Sequence, residues 1–220
     1  MFLKLVTFLL PWSLRRRALV KWFGYEIHPS ARIGLSWVFP GKLIMAAGAR
    51  IEHFTVAIHL DRIDMSTQSK IGRGNWITGF PVESGSSHFK HQTGRRAELR
   101  LGEYAAITKY HHLDCTNLIE VGRYATIAGY HSQFLTHSID VMENRQDSAP
   151  IHIGEYTFVG TNVVVLGNST LPSHSVLGAK SLLNKQHVDQ WMLYGGVPAK
   201  AVQKIPSDAK YFSRVDGFVY

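Results

Sequence analysis

The chain has 220 residues, of which 45% are hydrophobic, 11% aromatic and 18% charged, a composition that supports a packed core and excludes wholesale disorder. Its one cysteine, Cys115, excludes an intrachain disulfide and a multi-cysteine zinc cage. Lys and Arg outnumber Asp and Glu by 24 to 16, yet residues 1–25 alone hold five of the cations and no acid, so the folded body lacks the basic stripe of a nucleic-acid binder.

Residues 1–25 form the first segment, and Met1–Phe23 reads MFLKLVTFLLPWSLRRRALVKWF. The apolar run Leu5–Leu10 stops at Pro11, far short of the roughly 20 residues of a spanning helix. No small-x-small cleavage site precedes Arg15–Arg17, so a secretory signal fits poorly. Large apolar side chains, Trp12, Trp22 and the basic cluster predict an amphipathic helical arm lying in the interface of an anionic membrane. Packing of the same helix against the rest of the protein is the alternative.

A period of six governs residues 26–205. Ile27, Ile33 and Phe39 begin it, Ile71 and Ile77 continue it, and Leu101, Ile107, Leu113, Val121 and Ile127 carry it on. From Ile153 it is unbroken through Val159, Val165, Leu171, Leu177 and Leu183, with the small or β-branched Thr157, Val163, Ser169, Ser175 and Ser181 in the fifth places. A helix rotates a residue off its own face within six positions. Short strands with a turn every six residues keep it there, and three such sides close a coil of about 18 residues that stacks on its neighbours. The predicted fold class is all-β, a left-handed parallel β-helix with the helical arm in front and a short tail, 206–220, behind. The period fails over 81–98 and again between Ile127 and Ile153, where eight surplus residues are expected to loop out within 140–150. Long aperiodic loops are often functional.

Three segments, FLTHSID (134–140), the hexads of 153–183 and YGGVPAKAVQKI (194–205), together resemble the hexapeptide-repeat acyltransferases, especially the sugar O-acetyltransferases. The resemblance covers roughly Ile27–Ile205. It implies a homotrimer with active sites between neighbouring subunits and acetyl-coenzyme A as donor along the C-terminal coils. It places His137 on the catalytic histidine, Gly160, Gly178 and Ala179 along the pantetheine arm, and Lys200 near the nucleotide end. The excursion at 81–98 departs from the common small-sugar enzyme pattern.

The chemistry fits those residues. Acyl transfer from a thioester to an alcohol needs a base, and imidazole takes a proton near neutral pH. Asp140 or Glu143 is expected to orient His137, although a backbone carbonyl would serve as well. Lys180, Lys185 and Lys200 supply cations for the donor phosphates. His111, His112, His131, Asp114 and Glu143 are the candidate acceptor ligands. His111 and His131 would stack on adjacent coils if both held a fifth place. With His137 they leave open a zinc site like that of the γ-class carbonic anhydrases, although no metal is expected. The function that follows is acetyl transfer to a saccharide, notably a lipid-linked glycan of bacterial surface polysaccharide synthesis, on the cytoplasmic face of the cell membrane. The rivals are that zinc enzyme and a non-catalytic scaffold on the membrane.

Overall fold

The computed structural model describes residues 2–217 and 219. Three sheets run along the chain from Glu26 to Leu183, and each of seven coils gives one short strand to each sheet. All pairings within this body are parallel, as in Ile27 with Met45, Met45 with Met65, Leu101 with Val121 and Ile153 with Leu171. These partners lie 18 or 20 residues apart, so the period of six is the side of a left-handed parallel β-helix. The aliphatics that set the period point inward and are buried from Ile27 to Leu183.

The fifth places are buried as well, and the structure explains their chemistry. Ser36 is fourth after a shortened turn but in register with Thr55, because Val38 and not Phe39 pairs with Ala57. It donates to the Glu52 carbonyl, and the fifth-place Thr55 and Asn75 donate to Gly72 at 2.9 Å and Thr108 at 2.9 Å, each one coil further on. A small polar side chain here satisfies a carbonyl that the ladder leaves free.

The corner between the first and second sheets carries Tyr104, Tyr124, Tyr156, His174 and Trp191, all with φ between 53° and 57°. A bulky residue in the left-handed region is costly. Here the rings lie one per coil, with successive centroids 4.9, 4.6, 5.4 and 4.4 Å apart, and their stacking offsets that cost. After the antiparallel strands Met192–Gly195 and Lys200–Lys204, the tail returns along this column. The Arg214 guanidinium lies 4.0 Å from the Tyr211 ring centroid and donates to the Tyr124 carbonyl, and the Trp191 and Phe212 rings meet edge-on.

Two helices precede the coils: α1, Phe2–Leu9, and α2, Trp12–Phe23. Helix α2 closes the open end of the solenoid, a position that repeat folds must cap. Ala18 and Leu19 are buried beneath it. Arg15, only 3% exposed, donates to the Gly34 and Ser36 carbonyls at 2.9 and 2.6 Å. Gly34 occupies the place whose carbonyl, in later coils, is served by a fifth-place side chain, so Arg15 substitutes for the missing coil. Arg16 adds a bond to the Ile27 carbonyl at 2.9 Å. This corrects the expectation for part of the arm: Arg15 and Trp12 face the protein, not lipid. Arg17, Lys21 and Trp22 remain exposed. Among the described residues no helix is long and apolar enough to cross a membrane.

The chain leaves the coil twice, and both times at the corner between the third and first sheets. The first excursion joins the strands Trp76–Thr78 and Glu98–Leu101. The second begins earlier than the sequence spacing indicated, because Ile153 pairs with Val121 and Ile127 with Val159. It is an antiparallel hairpin of His137–Asp140 against Arg145–Ser148.

Candidate active site

His137 is the first residue of that hairpin, separated only by Thr136 from the third-sheet strand Gln133–Leu135. In the preceding coil the strand His112–Asp114 pairs with it, bringing Asp114 opposite Leu135. Asp114 is buried, and its carboxylate is saturated. One oxygen accepts from the Thr116 N–H at 3.1 Å and the Thr116 hydroxyl at 2.7 Å. The other accepts from the His137 N–H at 3.2 Å and makes a short bond with His137 Nδ1. Thr136 fastens the turn by donating to the Asp114 carbonyl at 2.7 Å.

This arrangement fixes the imidazole. A carboxylate at Nδ1 selects the tautomer with the proton on that nitrogen, leaving the Nε2 lone pair outward. Among the described residues no protein group bonds Nε2, and the side chain is 45% exposed. The hydrogen bond that Nδ1–H donates to Asp114 raises the His137 pKa above its ordinary value, against a smaller opposing effect of burial. Burial pushes the Asp114 carboxyl up, but its bonds from His137 and Thr116 outweigh that and hold it below the usual carboxylate range.

The two excursions close over this pair. Phe89 presents itself edge-on to the His137 ring, with centroids 6.3 Å apart at 89°. Arg95 lies 4.7 Å from the Phe89 centroid and donates to the carbonyls of Phe80, Thr116 and Pro81 at 2.6, 2.6 and 3.1 Å. It is thus a buried brace between the loop and the coil. Gln92 ties the loop to the hairpin by donating to Asp147 at 2.7 Å and to the Ser148 carbonyl at 2.8 Å. A cleft of about 290 Å³ runs between loop and hairpin past His88, Phe89, Ile139 and Arg145. A larger concavity, about 870 Å³, lies over the first sheet among Asp64, Arg100, Glu120 and His152, on a different side of the coil from the His137 pair.

Several predicted site residues need correction. Asp140 does not touch His137; its carboxylate caps the hairpin turn, accepting from the N–H groups of Met142 and Glu143 at 3.0 and 3.2 Å. Asp114, expected among the acceptor ligands, is the residue on Nδ1. Glu143 is exposed in the hairpin turn, with no hydrogen bond or ion pair to His137 among the described residues. His111 is not an acceptor ligand. It is 1% exposed, its Nδ1 accepts from the Ser132 N–H at 3.2 Å and its Nε2 meets the Thr108 hydroxyl at 3.0 Å. Burial drives its pKa down to about 4. His131 does not stack on it, because Ser132 stands opposite His111 by register. The turn after Ile127 holds one residue more than the turn after Ile107, and this moves His131 outside the coil. His131 is exposed and His112 half-buried, and both line a hollow on the third sheet. Cys115 is fully buried and its thiol pKa is pushed well up by burial. Among the described residues no three His, Cys, Asp or Glu side chains converge as a metal site would require.

The donor-side residues lie on the last coils. Gly160 has a packing reason: a Cβ there would stand 2.7 Å from the Ala179 nitrogen in the next coil. Gly178 and Ala179 follow the strand Val176–Leu177, at the corner between the second and third sheets. Lys180 and Lys200 are exposed, and Gly195, the register partner of Lys200, lies one place past the Leu177–Tyr194 pair. Lys185 lies past Leu183, toward the other end of the third sheet. No ion pair engages Lys180, Lys185, Lys200 or Lys204 among the described residues, so these cations are open to phosphate.

Comparison with known proteins establishes the fold class. No family model matches the chain. A protein of Staphylococcus aureus (strain Mu50 / ATCC 700699) named "Putative acetyltransferase SAV2555" is 39% identical over 66 residues, 30% of this chain and 33% of its own length. The chain thus spans about a third of the length of the curated relatives it matches. Among solved structures, the polysialic acid O-acetyltransferase OatWY superposes with a TM-score of 0.63 at 12% identity, covering 87% of this chain and 90% of its own. A hexapeptide-repeat containing acetyltransferase from Vibrio cholerae, solved with acetyl coenzyme A, gives 0.50 at 19% identity, covering 94% and 85%. The chain therefore has the fold of the hexapeptide-repeat acetyltransferases.

Proposed function

We propose that the protein transfers an acetyl group from acetyl-coenzyme A to a hydroxyl of a saccharide, with His137 as general base in a direct transfer. The observation that carries this reading is the imidazole held by a buried carboxylate on Nδ1 and open at Nε2, beneath two excursions of the coil. Acetyl-coenzyme A supplies an activated acetyl thioester. His137 Nε2 takes the acceptor's hydroxyl proton as that oxygen attacks the acetyl carbon. The C–S bond breaks, and the imidazolium, stabilised by Asp114, returns the proton to the departing coenzyme A thiolate. The unpaired Lys180, Lys185 and Lys200 fit the charge of the donor's phosphates, and Gly160, Gly178 and Ala179 offer backbone beside them. The polysialic acid O-acetyltransferase that shares the fold supports a saccharide acceptor.

The exposed Phe2, Leu3, Leu5 and Leu9 of α1, with Arg17 and Lys21 nearby in sequence, support attachment to an anionic membrane. That attachment suits a lipid-linked glycan, on the cytoplasmic side where coenzyme A is available. The enzyme works as a homotrimer in this reading, with each site completed by a neighbour. A non-catalytic scaffold is the rival. The deciding experiment is thioester cleavage with acetyl-coenzyme A across free, nucleotide-linked and lipid-linked sugars. Absence of turnover with every acceptor sinks the enzyme reading, and sedimentation velocity that finds only monomer sinks the trimer.

A further inference from the structure

The third sheet carries a second feature on the face that holds Asp114. Strand residues alternate, so with Leu113 buried, His112 and Asp114 both point outward, about 7 Å apart along the strand. Around His112 lies a hollow of about 300 Å³ lined by Trp76, Tyr110, His131 and Gln133. Trp76 and Gln133 are the register partners of His112 in the coils before and after. Both aromatic residues are open to solvent, Trp76 by 51% and Tyr110 by 46%.

Gly74 makes room in this hollow. At φ 68° it occupies a corner place that Phe54, Tyr110 and His131 fill with rings in other coils. A Cβ at Gly74 would stand 2.4 Å from Tyr110 Cε1, so the Tyr110 ring lies in the space the glycine leaves, next to the strand that carries Trp76. The polar groups at the rim, on His112, His131 and Gln133, are bonded to no other protein side chain or backbone group among the described residues.

We infer that this hollow is a subsite for a second sugar unit, so that the acceptor is an oligosaccharide or polysaccharide. The inference rests on the proposed transferase reading. A pyranose ring has an apolar C–H face, which suits the open faces of Trp76 and Tyr110, and an equatorial belt of hydroxyls, which suits the unspent imidazole and amide groups. The separation between His112 and the residue that holds His137 is roughly the span of one sugar ring. A unit seated here would place its neighbour in the chain at the base.

The test compares a monosaccharide with its own trisaccharide, using glucose with maltotriose and N-acetylneuraminic acid with its α2,8-linked trimer. For at least one pair, wild type should show a KM for the trisaccharide lower by about tenfold, the effect expected of a buried aromatic contact. Trp76→Ala, and independently Gly74→Ala through displacement of the Tyr110 ring, should bring the two KM values together, and Trp76→Phe should restore the preference. A wild type indifferent to length, or a Trp76→Ala variant that keeps the preference, overturns the subsite. So does a Trp76→Ala variant that changes only the oligomeric state, since the hollow is then a contact between copies. If no saccharide accepts acetyl, the transferase reading fails by itself. Saturation-transfer NMR of the trisaccharide with the full-length protein, without donor, then decides the subsite: signal lost in Trp76→Ala supports it, and no signal in wild type ends it.

Discussion

Asp114 and His137 are separated by 23 residues in the chain and by one coil in space, and the carboxylate of the first meets both the backbone N–H and the ring Nδ1 of the second. The pair is positioned by strand register, since Asp114 ends one third-sheet strand and His137 follows the strand paired to it. Its partners on the carboxylate, Thr116 and the His137 backbone, leave the ring as the exposed member and the acid as the buried one.

Replacing either member therefore has a distinct consequence. His137→Ala should lower kcat by about 100-fold or more, the usual size of general-base catalysis. Asp114→Asn should also lower kcat strongly while changing the acceptor KM little, because it removes the group that sets the tautomer. Asp140→Asn, which alters the hairpin cap and the ion pair with Arg145, should stay within about threefold of wild type. Steady-state kinetics of the three variants check this, and a severe loss in Asp140→Asn would contradict the assignment.

The pH dependence has a definite sign. The base must be neutral, and Asp114 raises its pKa above the ordinary 6.5. Activity should therefore rise with pH through a pKa higher than that of a free imidazole, and fall as His137 becomes protonated below it. In Asp114→Asn the residual activity should persist to lower pH. A pH profile of kcat/KM whose acid limb does not move in this variant would argue against the pairing.

His111 makes a separate prediction about stability. It is neutral in the folded coil, where burial pushes its pKa down to about 4 from the ordinary 6.5. A depressed pKa means that the unfolded state binds the proton first, so the stability held above pH 6.5 is lost as pH falls toward 4. The loss from this one residue is about 3 kcal/mol. Raised or lowered pKa values elsewhere act in their own windows: the His137 contribution is lost as pH rises through its raised pKa, and that of Asp114 is lost as pH falls through its lowered one. Urea unfolding of wild type and His111→Gln at pH 7 and pH 5 separates the His111 contribution, which should vanish in the variant.

The N-terminal arm divides into the cap α2 and the helix α1, which packs Phe8 against Trp37 and buries Thr7 while exposing Phe2, Leu3, Leu5 and Leu9. Arg15→Ala leaves the Gly34 and Ser36 carbonyls without their donor and should cost about 1–3 kcal/mol per buried group left unsatisfied, seen as a lower unfolding midpoint. Arg17→Ala should be within about 0.5 kcal/mol of wild type, as is usual for an exposed position. Removing residues 1–9 should leave the coil folded and abolish sedimentation with anionic liposomes. Equal sedimentation of truncated and intact protein would remove the support for a membrane-bound acceptor.

On the donor side, Lys200→Ala should raise KM for acetyl-coenzyme A more than KM for the acceptor, since it takes away a charge remote from the reacting carbon. Equal changes in both, measured with each substrate varied in turn, would count against a phosphate contact there.

The amino-acid sequence by itself determined the architecture. A bulky aliphatic every sixth residue with small polar residues between can only stack its faces in a coil, and Ile153 to Leu183 state this without interruption. It also showed that the coil opens between Ile127 and Ile153, because loss of the period is as legible as the period, but it placed the opening at 140–150, whereas the hairpin begins at His137. Only the tertiary structure decided which residues meet. One extra residue after Ile127 moved His131 out of the coil and left His111 inside. One strand pairing brought Asp114, not the nearby Asp140, to the imidazole. Arg15 reads as one of three arginines in a basic cluster until the open end of the coil supplies two carbonyls that need a donor. Such partners are set by register between coils about 20 residues apart, and a single-residue slip that scarcely marks a sequence pattern turns a side chain from the core to the surface.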